Sequence, residues 1–130
     1  MNKNEIIKII NDYKLDKSRF IVISGAALVL LDIKKKAHDI DIWCDKNYYN
    51  YLLNEYNSKF ERINEFAEEA YMIDDIINFG TSFCPKQIEI IEGIKCSSLK
   101  DILELKIFLN RKKDKLLIKK LEKILKRSVK

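Results

Sequence analysis

Proline occurs once in these 130 residues, histidine once, and glycine and cysteine three times each. With so little glycine and proline there is no low-complexity linker at which the chain would divide, and no internal repeat is present. One domain over residues 1–130 is expected, with a core over about 18–95 and a helical C-terminal part over about 97–127. Cys44, Cys84 and Cys96 are odd in number, widely spaced and form no C-x-x-C pair. That pattern excludes a disulfide framework and a zinc knuckle, so buried or incidental thiols are expected. No apolar run approaches the roughly 20 residues needed to span a bilayer, and Met1–Glu5 lead into an amphipathic pattern instead of a signal-peptide core. A cytoplasmic protein without a membrane partner is the expectation. His38, the only histidine, stands beside two carboxylates and is read as a structural or surface residue.

What is present is a composition 47% hydrophobic and 35% charged, enough for a packed core under a solvated surface. The net charge of +5 is unevenly placed. Residues 111–130 carry ten Lys/Arg against Asp114 and Glu122, a local +8, whereas the preceding 110 residues sum to −3. Such a segment attracts phosphate-bearing partners; it is equally the composition of a solvated Lys-rich helix.

Ile6, Ile9, Ile10 and Tyr13 mark one face of a helix. Phe20–Ile23 is a short β-branched run suited to a strand covered on both sides, ended by Ser24-Gly25 and followed by a buried helix over Ala26–Leu31. Asp39–Cys44 alternates as a second strand, and Asp45 is placed to cap a helix running to about Tyr56 with Tyr48, Tyr51, Leu52 and Glu55 on one face. Phe60–Phe66 reads as a strand, Tyr71–Phe79 as strand or helix, and Gln87–Ile91 as a strand with Ile88 and Ile90 toward the core and Glu89 on the other side. Ser97 or Ser98 opens a helix bearing Leu99, Ile102, Leu103, Lys106 and Leu109 on one face; Leu117, Leu121, Ile124 and Leu125 stripe the last. The order predicts an α/β (α+β) fold, a sheet flanked by helices with two of them C-terminal.

Side chains at i and i+2 of a strand share a face, so Asp39 and Asp41 project together. Adjacent carboxylates repel unless a cation lies between them, and Mg²⁺ suits such a pair because it takes one or two protein carboxylates and fills its other positions with water and phosphate oxygens. The alternative is a solvated pair on an edge strand. Buried strand, Ser24-Gly25 turn, helix, basic Lys34–Lys36 and then Asp39-Ile40-Asp41 resembles the nucleotidyltransferase superfamily, the polymerase-beta-like fold. Its motif is a small-residue pair at a strand end, a helix, and D-x-D on the next strand. Ile23-Ser24-Gly25-Ala26-Ala27-Leu28 is similar to the family's hydrophobic-G-G-x-A-L pattern with serine for the first glycine, and Ala37 stands where many relatives carry a hydroxyl. Ser98-Leu99-Lys100-Asp101 through Lys106, then Arg111-Lys112-Lys113-Asp114, resembles a segment of small bacterial nucleotidyltransferase-like proteins related to abortive-infection and toxin–antitoxin enzymes.

The resemblance implies a nucleotidyltransferase-type mixed sheet. It implies catalytic and metal-binding roles for Asp39, Asp41 and a third carboxylate on a later strand, best matched by Glu89, with Glu92 as its rival of opposite parity. It implies Mg²⁺ or Mn²⁺, an NTP such as ATP as substrate, and nucleotide binding by Ser24, Gly25, Lys35 and Lys106. Lys106 is alternatively a stem packed on the core with its ammonium in water. Transfer of an NMP to an acceptor hydroxyl is the expected reaction, the acceptor being an RNA or tRNA end, a protein or a small molecule. The other reading is a catalytically inactive binding protein, antitoxin-like or host-modulating, that uses its basic C-terminal face; a homodimer or partner protein is compatible with either.

Overall fold

The structure, a computed structural model, describes residues 1–63 and 69–128. Among these residues the chain forms five α-helices and one seven-stranded mixed sheet of order β3-β4-β5-β2-β1-β7-β6. The elements in chain order are α1 (Lys3–Asp12), β1 (Phe20–Ile23), α2 (Ser24–Leu30), β2 (Ile40–Cys44), α3 (Lys46–Glu55), β3 (Ser58–Ile63), β4 (Glu69–Ile73), β5 (Ile77–Gly80), β6 (Ile88–Ile91), β7 (Ile94–Ser97), α4 (Leu99–Leu109) and α5 (Lys115–Ser128). The expected α/β arrangement with two C-terminal helices is thus present. The strand expected over Phe60–Phe66 is β3, which starts earlier; its last three expected residues, 64–66, lie outside the described residues.

Local chemistry accounts for the boundaries. Asn2 and Glu5 form a reciprocal capping box at the start of α1, and the Asp45 carboxylate accepts from the Tyr48 N–H at 2.8 Å to start α3. Ser98, not Ser97, caps α4 by accepting from the Asp101 N–H, and Asn110 ends that helix in the left-handed conformation. Tyr71–Phe79 resolves into two strands because Asp74 and Asp75 both take positive φ, 51° and 57°, and Ile76 N–H closes onto the Ile73 carbonyl. Two consecutive positive φ values make the type I′ turn that joins a tight hairpin. Glu92 (φ 49°) and Gly93 (φ 81°) do the same between β6 and β7. Glu92 is therefore a turn residue, and β7, unforeseen in the sequence, is the return strand.

The register sorts side chains between two faces. Val22, Ile42 and Phe79 are partners in one row across β1, β2 and β5, and all three are buried. This face is sealed by helices: α2 packs on β1, β2 and β7, α1 on α2, and the Tyr49 ring of α3 meets Phe79 edge-on at 5.6 Å between centroids. Tyr49 takes the core place expected of Tyr51, which is half exposed and stacks on Tyr48 instead. Ile88 and Ile90 do not reach the core either. They lie on β6, the outermost strand, where Ile90 is 65% exposed. α4 and α5 pack on each other, with Leu121 fully buried between the C-terminal layer and the core. Leu121→Ala should therefore cost about 2–5 kcal/mol through lost burial and the cavity left behind. A urea unfolding curve with an unchanged slope and a lowered midpoint would show it; a shift below ~0.5 kcal/mol would mean α5 is not part of the cooperative unit.

Candidate active site

The row adjoining Val22–Ile42–Phe79 faces the other way and consists of Ile23, Asp41 and Asn78. This row forms the floor of a cleft of about 820 Å³. Its walls come from the β1–α2 turn (Ser24, Gly25), the loop before β2 (Lys34), the loop after β5 (Ser82, Phe83) and the α4–α5 junction (Lys106, Arg111, Lys113). The volume is that of a site able to enclose a nucleotide-sized ligand.

Ser24 holds φ at 57°, in the left-handed region, at the step from β1 into α2. An L-residue there costs roughly 1–2 kcal/mol, which explains why the pattern it resembles carries glycine at this position. Gly25 has a different reason to be glycine. A methyl group added there would meet only the Lys34 ammonium, at 3.7 Å, an ordinary contact. Neither backbone nor packing demands glycine at 25, so its lack of a side chain keeps open the part of the cleft beside Lys34.

Asp114 organises the far wall. It is buried, and its carboxylate takes the Arg111 Nε at 2.8 Å and lies 3.7 Å from the Lys106 Nζ. The arrangement fixes two cations at the cleft, with Lys106 only 13% exposed. Burial pushes the Lys106 ammonium below the ordinary lysine range, and the Asp114 carboxylate opposes that shift. Lys106 is thus neither a snorkelling residue nor a simple core filler; it is a partly desolvated cation against a carboxylate.

The sequence-derived site residues separate in this geometry. Asp41, Ser24, Gly25 and Lys106 share the cleft. Asp39 lies one residue ahead of β2, half-buried, on the face that alternation assigns to Asp41 but outside the cleft lining. Lys35 is exposed and away from the cleft; Lys34 takes the place expected of it. Glu89 is displaced outright. It lies on β6, three strands from β2, which at ~4.8 Å per strand is about 14 Å. Its register runs through Cys96 and Val22 to Ile42, so it points to the opposite face from Asp41. The strand that does adjoin β2 is β5, and the residue there in register with Asp41 is Asn78.

Asn78 is buried, and among the described residues its Nδ2 has no hydrogen-bond partner. An N–H donor left unfilled in a cleft suits a phosphate oxygen, not a cation. A metal ion would fall instead to Asp39 and Asp41, two hard carboxylates, the number Mg²⁺ commonly takes from a protein. Among the described residues no cluster of three or more His, Cys, Asp or Glu side chains converges.

No protein-family model and no curated protein sequence matches this chain. Among solved structures, a Thermotoga maritima protein provisionally described as a nucleotidyltransferase superposes with a TM-score of 0.62. The match covers 95% of this chain and 96% of that one at 19% identity. The likeness shows the architecture: this chain has the nucleotidyltransferase fold.

Two outcomes test the cleft. Gly25→Ala should stabilise the protein by up to about 1 kcal/mol, because alanine is the better helix former, while weakening any ligand seated beside Lys34; thermal melts with and without nucleotide would read both effects. The lowered Lys106 titration has a defined sign. Between its lowered value and the ordinary lysine value the folded chain binds fewer protons than the unfolded chain, so the contribution of Lys106 to stability rises with pH there. In Lys106→Met this alkaline rise should be lost from denaturation curves taken across that range.

Proposed function

We propose that this chain is a metal-dependent nucleotidyltransferase that moves an NMP from an NTP, ATP being the simplest case, to an acceptor hydroxyl. The observation that carries the reading is one cleft with Asp41 on its floor and Lys34, Lys106 and Arg111 in its walls. Such a cleft offers a carboxylate pole for a cation and a cationic pole for a triphosphate. Asp39 and Asp41 would hold Mg²⁺ or Mn²⁺, which would neutralise phosphate charge and orient the triphosphate for in-line displacement.

The protein groups do the rest. Lys34, Lys106 and Arg111 bind the phosphates; Asn78 donates its free N–H to a phosphate oxygen; Gly25 leaves room for the chain of phosphates beside Lys34. The acceptor oxygen forms its bond to the α-phosphorus as the bond from that phosphorus to the bridging oxygen breaks, and pyrophosphate leaves. The proton released by the acceptor passes to a carboxylate of the aspartate pair. Arg111 and Lys106 are held by Asp114 before substrate arrives, so little ordering remains to be done on binding.

One observation favours a second reading. The neighbour of Asp41 on β5 is the neutral Asn78, whereas the resemblance to the nucleotidyltransferase superfamily implies a third carboxylate on a later strand of the same sheet. A protein that binds nucleotide or partner without transferring, antitoxin-like or host-modulating, accords with that amide. A cytoplasmic location, a partner protein and a homodimer are compatible with both readings.

Calorimetric titration of Mg²⁺ and ATP into the wild-type protein and Asp41→Asn tests the proposal. Wild type should bind and the variant should lose metal-dependent binding by at least ~10-fold, with little change in fold, because the amide is nearly isosteric but does not balance the ion's charge. Absence of binding by the wild type would sink the transferase. With α-labelled ATP and mixed acceptors, a transfer product from wild type supports the first reading. A product from Asn78→Asp alone supports the second.

A further inference from the structure

We infer that the outer arc of α5 is a binding track for a nucleic-acid phosphate backbone, continuous with the cleft, and that the acceptor hydroxyl of the proposed reaction is the end of such a strand. The inference rests on the transferase reading for the acceptor role alone; the track itself stands on separate observations. The inner side of α5 is accounted for by Leu117, Ile118, Leu121 and Leu125, which pack on the core. At 100° per residue these apolar positions span about 100°, and a separate arc of about 140° lies on the opposite side. It carries Lys115, Lys119, Lys120, Lys123, Lys126 and Arg127, all exposed. A single acidic residue of the helix, Glu122, stands at its margin.

What raises this arc above a solvated helix is where it leads. Lys120 Nζ donates to the Ile33 carbonyl at 3.2 Å, across 87 residues of sequence, and so fastens one edge of the arc to the loop that bears Lys34, Lys35 and Lys36. Lys34 is also a wall residue of the cleft, and Lys113, one turn ahead of α5, is another. Positive charge therefore leads from the helix, across a loop in which Asp32 is paired with Lys3, to the wall of the cleft at Lys34. Lys35 and Lys36, exposed and outside the cleft, find their place in this path.

The occupant follows from the composition of the surface. Leu116, 82% exposed, is the one large apolar side chain in the arc, whereas a protein interface would bring a central apolar cluster. Lysines spaced along a 14-residue helix span about 21 Å, the length of roughly six phosphates at ~3.4 Å per nucleotide of one strand. The phosphodiester backbone of a nucleic-acid strand matches both the charge and the repeat. Its terminal hydroxyl group is then delivered along the loop to the cleft that holds the triphosphate.

The test uses the full chain with fluorescent single-stranded oligonucleotides of about ten residues, one RNA and one DNA of the same sequence, titrated by anisotropy at several salt concentrations. The variant is Lys119→Gln/Lys123→Gln/Lys126→Gln, which keeps the Lys120–Ile33 bond. Wild type should bind one or both strands with a steep salt dependence. The variant should bind more weakly, with the log–log slope reduced by about two, 0.7 for each lysine lost. The strand bound more tightly identifies the acceptor's sugar. Magnesium-ATP titration of the same variant should match wild type, which separates loss of the track from loss of the nucleotide site. Three results would overturn the inference: no oligonucleotide binding by wild type at low salt, an unchanged slope in the variant, or equally tight, equally salt-dependent binding of polyglutamate. Each can occur while Mg²⁺-ATP binding persists, and the transferase reading would then survive with another acceptor.

Discussion

The alternation of two adjacent rows across β1, β2 and β5 is the constraint on which the rest depends. Val22, Ile42 and Phe79 must be turned to the helices because nothing else buries them. A strand has two faces and a period of two, so the same choice turns Ile23, Asp41 and Asn78 to the cleft. A one-residue slip would place isoleucine in the cleft and bury the Asp41 carboxylate under α2 and α3, at the cost of desolvating its charge. Register, core and candidate chemistry are thus fixed by one decision, and the hydrophobic effect makes it.

That decision was legible in the amino-acid sequence at β2, where Asp39–Cys44 carries the alternation openly and Asp45 announces the helix that follows; Phe20–Ile23, apolar throughout, marks a strand without marking its faces. Several features were not legible. The Asp74-Asp75 turn lacks the glycine or asparagine that usually signals a type I′ hairpin, so the run on either side of it reads ambiguously. Glu89 sits in a strand of the right pattern, but pattern carries no information on strand order; β7 and β1 intervene between it and Asp41. Ile88 and Ile90 look like core residues by type and are exposed by position, because β6 is the sheet's edge. Among Lys34, Lys35 and Lys36, a loop without periodicity gives no basis for choosing the one that turns inward. Asn78 was missed for a further reason: an amide has no charge signature, and its importance appears only when register sets it beside Asp41.

The C-terminal part contributes its wall through one buried carboxylate. Asp114 occupies a position where a lone anion would be costly, and Arg111 and Lys106 together offset that cost. The result is that two helices joined by a short 3-10 turn are locked at a fixed junction, with two cations aimed at the sheet. The matched spacing of Lys106, Arg111 and Asp114 in the sequence is the linear trace of this triangle.

The three thiols differ in how they meet a reagent. Burial pushes Cys44 up to about 12 and Cys96 to about 11, and both side chains are sealed beneath the helices, so neither presents a thiolate near neutral pH. Cys84 is exposed, on the loop next to Phe83 in the cleft wall. A maleimide dye would therefore settle on one place without any engineered cysteine, a residue away from the cleft, where its emission would register an arriving ligand in the unaltered protein.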